Sequence, residues 1–284
     1  MAMEKVSVLD VQKAKDDGRK LVMVTAYDYP LGLLAHEAGV DIVLVGDSLG
    51  MVVLGMEGTV GVTMEHMIHH TRAVVRGCKG PMIVGDMPFM SYNTSIHDAI
   101  VNAGRLVKHG GCEVIKLEGG VDFASTVEAI VKAGIPVMGH IGLTPQTASA
   151  LGGFKIQGRD AAAAKQILDD ARALEDAGVF SIILEAVPAP LGKLVAETVR
   201  IPVIGIGAGA DVDGQVLVIH DVLGLFDRFV PKFVKQYANV RKIMLEALNE
   251  YKQEVMEVKF PGPEHSFKMP AEALEQLKKM MPDK

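Results

Sequence analysis

Six ionisable side chains close or interrupt short apolar runs of this chain. Asp47 ends "IVLVGD", Asp86 ends "MIVGD", and Lys116 and Glu118 lie in "VIKLEGG". His140 ends "IPVMGH" and Glu185 ends "SIILE". Runs of this kind read as strands, so the six groups are expected to gather where strands end. Carboxylates brought together raise each other's pKa, and a divalent cation relieves that cost. Oxygen ligands suit Mg²⁺, which takes one or two carboxylates directly and keeps several waters. Asp47 and Asp86 are the expected direct ligands, with Glu118 binding directly or through water. Either aspartate taken alone could instead cap the turn or helix that follows it. The recurrence at several strand ends favours a metal.

Two other motifs carry less. "EHMIHH" sets His66, His69 and His70 near one helical face, but the spacing is not H-E-x-x-H, so an ordinary helix face is expected there. "GIGAGADVDGQ" has G-x-G-x-G spacing rather than that of a dinucleotide fingerprint. A turn that approaches a ligand and a purely structural turn both remain open for it.

The elements that would position the six groups repeat along the chain. Eight apolar, β-branched runs begin at 21, 42, 82, 112, 135, 180, 201 and 215. Their hydrophobicity is continuous rather than alternating, as in parallel strands covered on both faces. Helical patterns separate most of them. Asp160–Ala177 is the clearest, with Asp160 as its cap and Gly178 after its end. A second stripe, Phe233, Tyr237, Val240, Met244, Ala247 and Tyr251, predicts a packed helix from Lys232 to about Val255. "EAGVDIVLV", "KAGIPVMGH" and "DAGVFSIIL" each pass from helix to strand through Ala-Gly, and glycine tolerates the left-handed turn this often needs. Eight strand–helix units predict a single (β/α)8 TIM barrel over residues 1–284, with an N-terminal helix and a C-terminal helical appendage at 256–284. An open doubly wound sheet is the runner-up. A long loop is expected between Asp47 and the helix preceding Pro81, where functional loops are often found.

Composition excludes several function classes. Net charge is −6 with no Lys/Arg cluster, and there is no Trp, so no nucleic-acid partner is expected. No membrane span and no signal-peptide core are expected. Cys78 and Cys112 make no disulfide framework, Cys112 reads as a small core residue, and a cytoplasmic setting fits.

The ordered motifs "TAYDYP", "VGDSLGMVVLG", "VTMEHMIHHTRAVVRG", "GDMPFMSY", "IKLEGG", "GIPVMGHIGLTPQ", "GGFKIQGR", "LEAVP" and "GIGAGADVDGQVLVIHD" run from Thr25 to Asp221. Together they resemble the ketopantoate hydroxymethyltransferase family of pantothenate biosynthesis. Val212 departs from the pattern, where the family often carries Cys. The resemblance implies transfer of a hydroxymethyl group from 5,10-methylenetetrahydrofolate to 3-methyl-2-oxobutanoate, with one Mg²⁺ per subunit. It implies Asp47 and Asp86 as metal ligands that also contact substrate, Glu118 as a third acidic group at the metal, and Ser48 and Lys116 as keto-acid contacts. Glu185 would be the proton acceptor and His140 an active-site neighbour. A competing role for Lys116 is a Schiff base. The resemblance also implies a homo-oligomer, commonly a decamer, acting on small molecules. The alternative reading is a Mg²⁺-dependent 2-oxo acid or phosphoenolpyruvate-type C–C lyase or mutase on the same barrel.

Overall fold

The computed structural model of the chain describes residues 5–150 and 152–281, so the outer ends of the expected 1–284 span and of the 256–284 appendage lie outside it. The strands are β1 Leu21–Thr25, β2 Ile42–Val45, β3 Met82–Asp86, β4 Val114–Glu118, β5 Val137–Gly142, β6 Ser181–Glu185, β7 Val203–Ile206 and β8 Gly214–Leu217. Each falls on one of the apolar runs. They close in chain order into one barrel, and β8 pairs in parallel with β1, which rules out the open sheet.

The helices in order are α1 Val8–Asp16, α2 Tyr29–Glu37, α3 Leu49–Val52, α4 Met64–Gly77, α5 Ile96–Arg105, α6 Ala124–Lys132, α7 Ala161–Asp176, α8 Ala189–Thr198, α9 Ile219–Val222, α10 Val240–Met256 and α11 Ala271–Met280. The expected cap of α7 is present: Ala163 N–H donates to Asp160 Oδ1 at 2.9 Å. Gly39, Gly134 and Gly178 all have positive φ (71°, 88° and 93°), as the Ala-Gly turns require.

Side chains alternate along each strand, and this alternation sorts the two cores. Val43, Val45, Ile115, Leu117, Ile182 and Leu184 face the helix ring. Leu21, Met23, Ile42, Leu44, Met82, Val84, Val114, Met138, Ile183, Ile204 and Val216 fill the barrel interior, and Val11 and Ala14 of α1 join them from below. The inward columns turn ionic at their C-terminal ends. Val84 is followed by Asp86, Val114 by Lys116 and Glu118, Met138 by His140, and Ile183 by Glu185.

Three expectations change. The long loop after Asp47 begins with the short helix α3, so the irregular stretch is shorter. The helix expected from Lys232 begins at Val240, where Asn239 caps it by accepting from Lys242 N–H at 3.1 Å. Phe233 and Tyr237 precede that helix, and no residue of α10 is buried, so the stripe does not have the packed face expected of it.

The chain divides into two compact units, residues 1–236 and 237–284. The first holds the barrel. The second holds α10 and α11, with Phe260 stacked edge-on against Tyr251 at 5.6 Å between centroids.

Candidate active site

A cleft of about 990 Å³ opens at the C-terminal ends of the strands, and Asp47, Ser48, Asp86, Lys116, Glu118, His140 and Glu185 all line it. Strand register brings them together. Asp86 on β3 pairs with Lys116 on β4, and Glu118 on β4 pairs with His140 on β5. Gly142 on β5 pairs with Glu185 on β6. A Cβ on Gly142 would lie 2.3 Å from the Glu185 carbonyl oxygen, so only glycine allows β5 this close an approach. After Glu185 the chain turns sharply: Ala186 takes φ +50°, a conformation costly for a non-glycine residue and common at functional sites.

The centre is an ion-pair network. Lys116 Nζ donates to both oxygens of Asp86, at 2.8 and 2.9 Å, and lies 3.6 Å from Glu118 Oε1. Burial opposes a charge on Lys116, but Asp86, Glu118 and Asp47 outweigh it and hold the ammonium protonated. Burial would also raise Glu118, yet Lys116 and His140 bring it below its ordinary value. His140 bridges two carboxylates, with Nδ1 3.4 Å from Glu118 Oε1 and Nε2 3.2 Å from Glu185 Oε2. Burial and Lys116 push its pKa down, but the two glutamates prevail and lift it to about 9. These are ion-pair contacts without hydrogen-bond alignment: both ring nitrogens and Glu118 Oε1 lack an aligned partner.

Uncharged residues outside the sequence-derived set position the charged ones. Gln146 Nε2 donates to Asp47 Oδ2 at 2.9 Å and to the Met87 carbonyl at 3.0 Å. Its backbone N–H donates to Glu118 Oε2 at 3.0 Å, and its Oε1 accepts from Tyr92 O–H at 2.7 Å. Ser48 Oγ sits 2.8 Å from Tyr27 Oη. Gln146, Tyr92 and Tyr27 lie inside "GLTPQ", "GDMPFMSY" and "TAYDYP", but carry no charge and end no strand, which is why sequence reasoning passed over them.

The donor set fits a hard divalent cation. Burial, then the neighbouring Asp86 charge, lifts the Asp47 pKa to about 8, and burial raises Asp86 as well despite Lys116. The buried carboxylates therefore exceed the cations that the chain supplies, and Glu118 Oε1 is left without a donor. Among the described residues no group of three or more His, Cys, Asp or Glu stands at metal-holding spacing. Carboxylate oxygens of this kind suit an ion such as Mg²⁺, which takes one or two carboxylates directly and keeps several waters.

The histidines of "EHMIHH" have other tasks. His66 Nδ1 accepts from Thr63 N–H at 3.2 Å in a capping box, and His70 Nδ1–H donates to the Tyr27 carbonyl at 2.6 Å. Cys78 and Cys112 are buried and free, with pKa values pushed by burial up to about 11 and about 12, in keeping with core residues. Val212 is fully buried in apolar surroundings, which suits valine in place of cysteine. Gly207 and Gly209 of the glycine-rich turn line the cleft.

The family model for ketopantoate hydroxymethyltransferase matches residues 5–263. A protein of Carboxydothermus hydrogenoformans named 3-methyl-2-oxobutanoate hydroxymethyltransferase is 56% identical, over 97% of this chain and 100% of its own length. One of the same name from Moorella thermoacetica is 58% identical, over 93% of this chain and 98% of its own. Among solved structures, phosphonopyruvate hydrolase aligns with a TM-score of 0.60 at 13% identity, over 98% of this chain and 96% of that one, which is a likeness of fold. On the family match and these full-length identities, the chain belongs to the ketopantoate hydroxymethyltransferase family.

Proposed function

We propose that this enzyme transfers a hydroxymethyl group from 5,10-methylenetetrahydrofolate to 3-methyl-2-oxobutanoate, consuming one water and giving 2-dehydropantoate and tetrahydrofolate. The family membership supports the reaction. The observation that carries the residue roles is a carboxylate, Glu185, held beside an imidazolium on the rim that also bears the Lys116–Asp86 pair. The resemblance adds to this reading a cytoplasmic homo-oligomer, a decamer.

Asp47 and Asp86 would hold Mg²⁺, with Glu118 as the third acidic group at the ion. Bound there, Mg²⁺ would polarise the keto oxygen of the substrate as a Lewis acid. Gln146 fixes the Asp47 carboxylate from behind. Lys116, kept charged by its neighbours, supplies a positive contact for the anionic keto acid. Protonated in this way it is not the free amine that a Schiff base needs. Ser48, set by Tyr27, offers its hydroxyl to the substrate carboxylate. Glu185 removes the C3 proton, with the His140 ring 3.2 Å from its Oε2. Water takes the methylene carbon from both folate nitrogens, breaking its two C–N bonds and releasing tetrahydrofolate; the electron pair left at C3 bonds to that carbon, and the proton held on Glu185 goes to the new hydroxyl oxygen.

Deuterium exchange at C3 of 3-methyl-2-oxobutanoate, followed by NMR in D₂O without folate, isolates proton removal. Glu185→Gln should bind the keto acid and slow exchange by roughly 10²–10⁴-fold. Exchange at the wild-type rate would end the assignment of Glu185. Failure of the wild type to form 2-dehydropantoate from both substrates would end the reading itself.

A further inference from the structure

Asp221 is a buried carboxylate that none of the steps above uses. It lies in α9, directly after β8, and β8 stands opposite β4 in the eight-stranded ring. Ile219 N–H donates to Thr25 Oγ1 at 3.0 Å, which ties α9 to the end of β1. Asp221 is only 8% exposed, yet it lines the same cleft as Lys116 and Glu185. Its carboxylate oxygens take part in no hydrogen bond or ion pair among the described residues. Burial alone lifts its pKa to about 6, with no cation or donor pulling it back.

A mostly buried carboxylate without protein donors is costly, and among the described residues no partner offsets the cost. Its surroundings say what kind of donor it could accept. Val218, Phe226, Phe229 and Phe233 line the cleft with it, all from the segment that follows β8. Phe229 and Phe233 are exposed, at 69% and 37%. Flat apolar surface beside one unpaired carboxylate suits a heteroaromatic ring that carries two adjacent N–H donors, since a carboxylate accepts such an edge through two parallel hydrogen bonds. The anionic keto acid is the wrong charge for this position.

We propose that Asp221 binds the N3–H and 2-amino edge of the pterin ring of the one-carbon donor, making the β8 side of the cleft the folate subsite. This rests on the hydroxymethyltransferase reading and assigns the second substrate within it. With the keto acid on the Lys116 side and the pterin on the Asp221 side, the methylene carbon falls between the two. Asp221 is then a specificity residue for the donor and has no part in proton removal at C3.

The test removes the contact from each partner in turn. Tetrahydrofolate and its 2-desamino analogue are titrated into the full-length wild type and Asp221→Asn, with binding read by calorimetry. The wild type should lose roughly 10–100-fold in affinity when the amino group is absent, the range for a hydrogen bond to a charged group. Asp221→Asn should bind both ligands within roughly threefold of each other. Asp221→Ser provides the same comparison if the Asn variant does not fold. An equal loss in wild type and variant, or no loss in the wild type, overturns the assignment and leaves the reaction standing. A wild type that binds no tetrahydrofolate at all overturns the functional reading on which it rests.

Discussion

The two ends of the barrel each hold a lysine in an ion pair, partly buried at the floor and fully buried at the mouth, and they treat it differently. At the floor, Lys15 of α1 donates to the carbonyls of Ala196, Val199 and Ile201 at 2.9, 3.0 and 2.9 Å, and to Asp213 Oδ2 at 3.0 Å. The same Asp213 oxygen accepts from Val203 N–H at 2.8 Å. The Lys15 head is therefore matched within the chain. At the mouth, Lys116 is matched to Asp86, but Glu118 Oε1 and both His140 nitrogens are left without aligned partners, and the Asp221 carboxylate has none among the described residues. Buried polar groups in folded proteins are nearly always paired. The difference teaches that the Lys15 site at the floor is finished as protein, whereas the mouth keeps hydrogen-bonding and charge capacity for molecules the chain does not contain.

The comparison is tested first at the mouth. Lys116→Met leaves Asp86 and Glu118 buried without their cation. Removing one partner of a buried pair costs about 3–5 kcal/mol, which urea denaturation would read, and C3 exchange should disappear with it. A stability change under about 1 kcal/mol would mean that these carboxylates do not depend on Lys116.

The floor gives the counterpart. Lys15→Met removes a charged donor from three carbonyls and one carboxylate, and stability should fall by about 3 kcal/mol. Turnover per folded molecule should not change, because Lys15 touches nothing in the cleft. Loss of C3 exchange in proportion to stability would erase the distinction between the two ends.

Much of this division was legible in the sequence, for a physical reason. Strands buried on both faces read as unbroken apolar runs, so an ionisable residue that ends a run marks a strand end, as Asp86 and Glu185 do, while β5 runs two residues past His140 to Gly142. A barrel brings strand ends to one rim, so the cluster followed from the fold. Gln146, Tyr27 and Tyr92 were not legible as site residues. They sit on loops, where position depends on the path of the chain and no period reports it. Phe233 was misread outright. Its spacing to Tyr237 and Val240 mimics a helical stripe, but the helix starts only at the Asn239 cap, and Phe233 faces the cleft instead. Asp221 drew no functional role because it lies past the end of its strand, within a motif noticed only for its resemblance.

The smallest effect tests whether Asp221 is as unpaired in solution as its surroundings imply. Its pKa rises from 3.8 to about 6 on folding, through burial. Between those values the folded protein retains a proton that the unfolded chain has released, so its contribution to stability falls as pH rises through this window and is level above it. Asn carries no such proton. Asp221→Asn should therefore match the wild type near pH 3.5 and exceed it at pH 7 and above by at most about 3 kcal/mol, less what solvent in the open cleft screens. Urea denaturation of both proteins across this range gives the difference curve directly, and the other buried carboxylates of the mouth cancel in it. A flat difference would mean that Asp221 already has a donor in the free protein, and the mouth would then be closed on its β8 side as the floor is. A sloping difference that levels out when tetrahydrofolate is present would place the missing donor on the ligand.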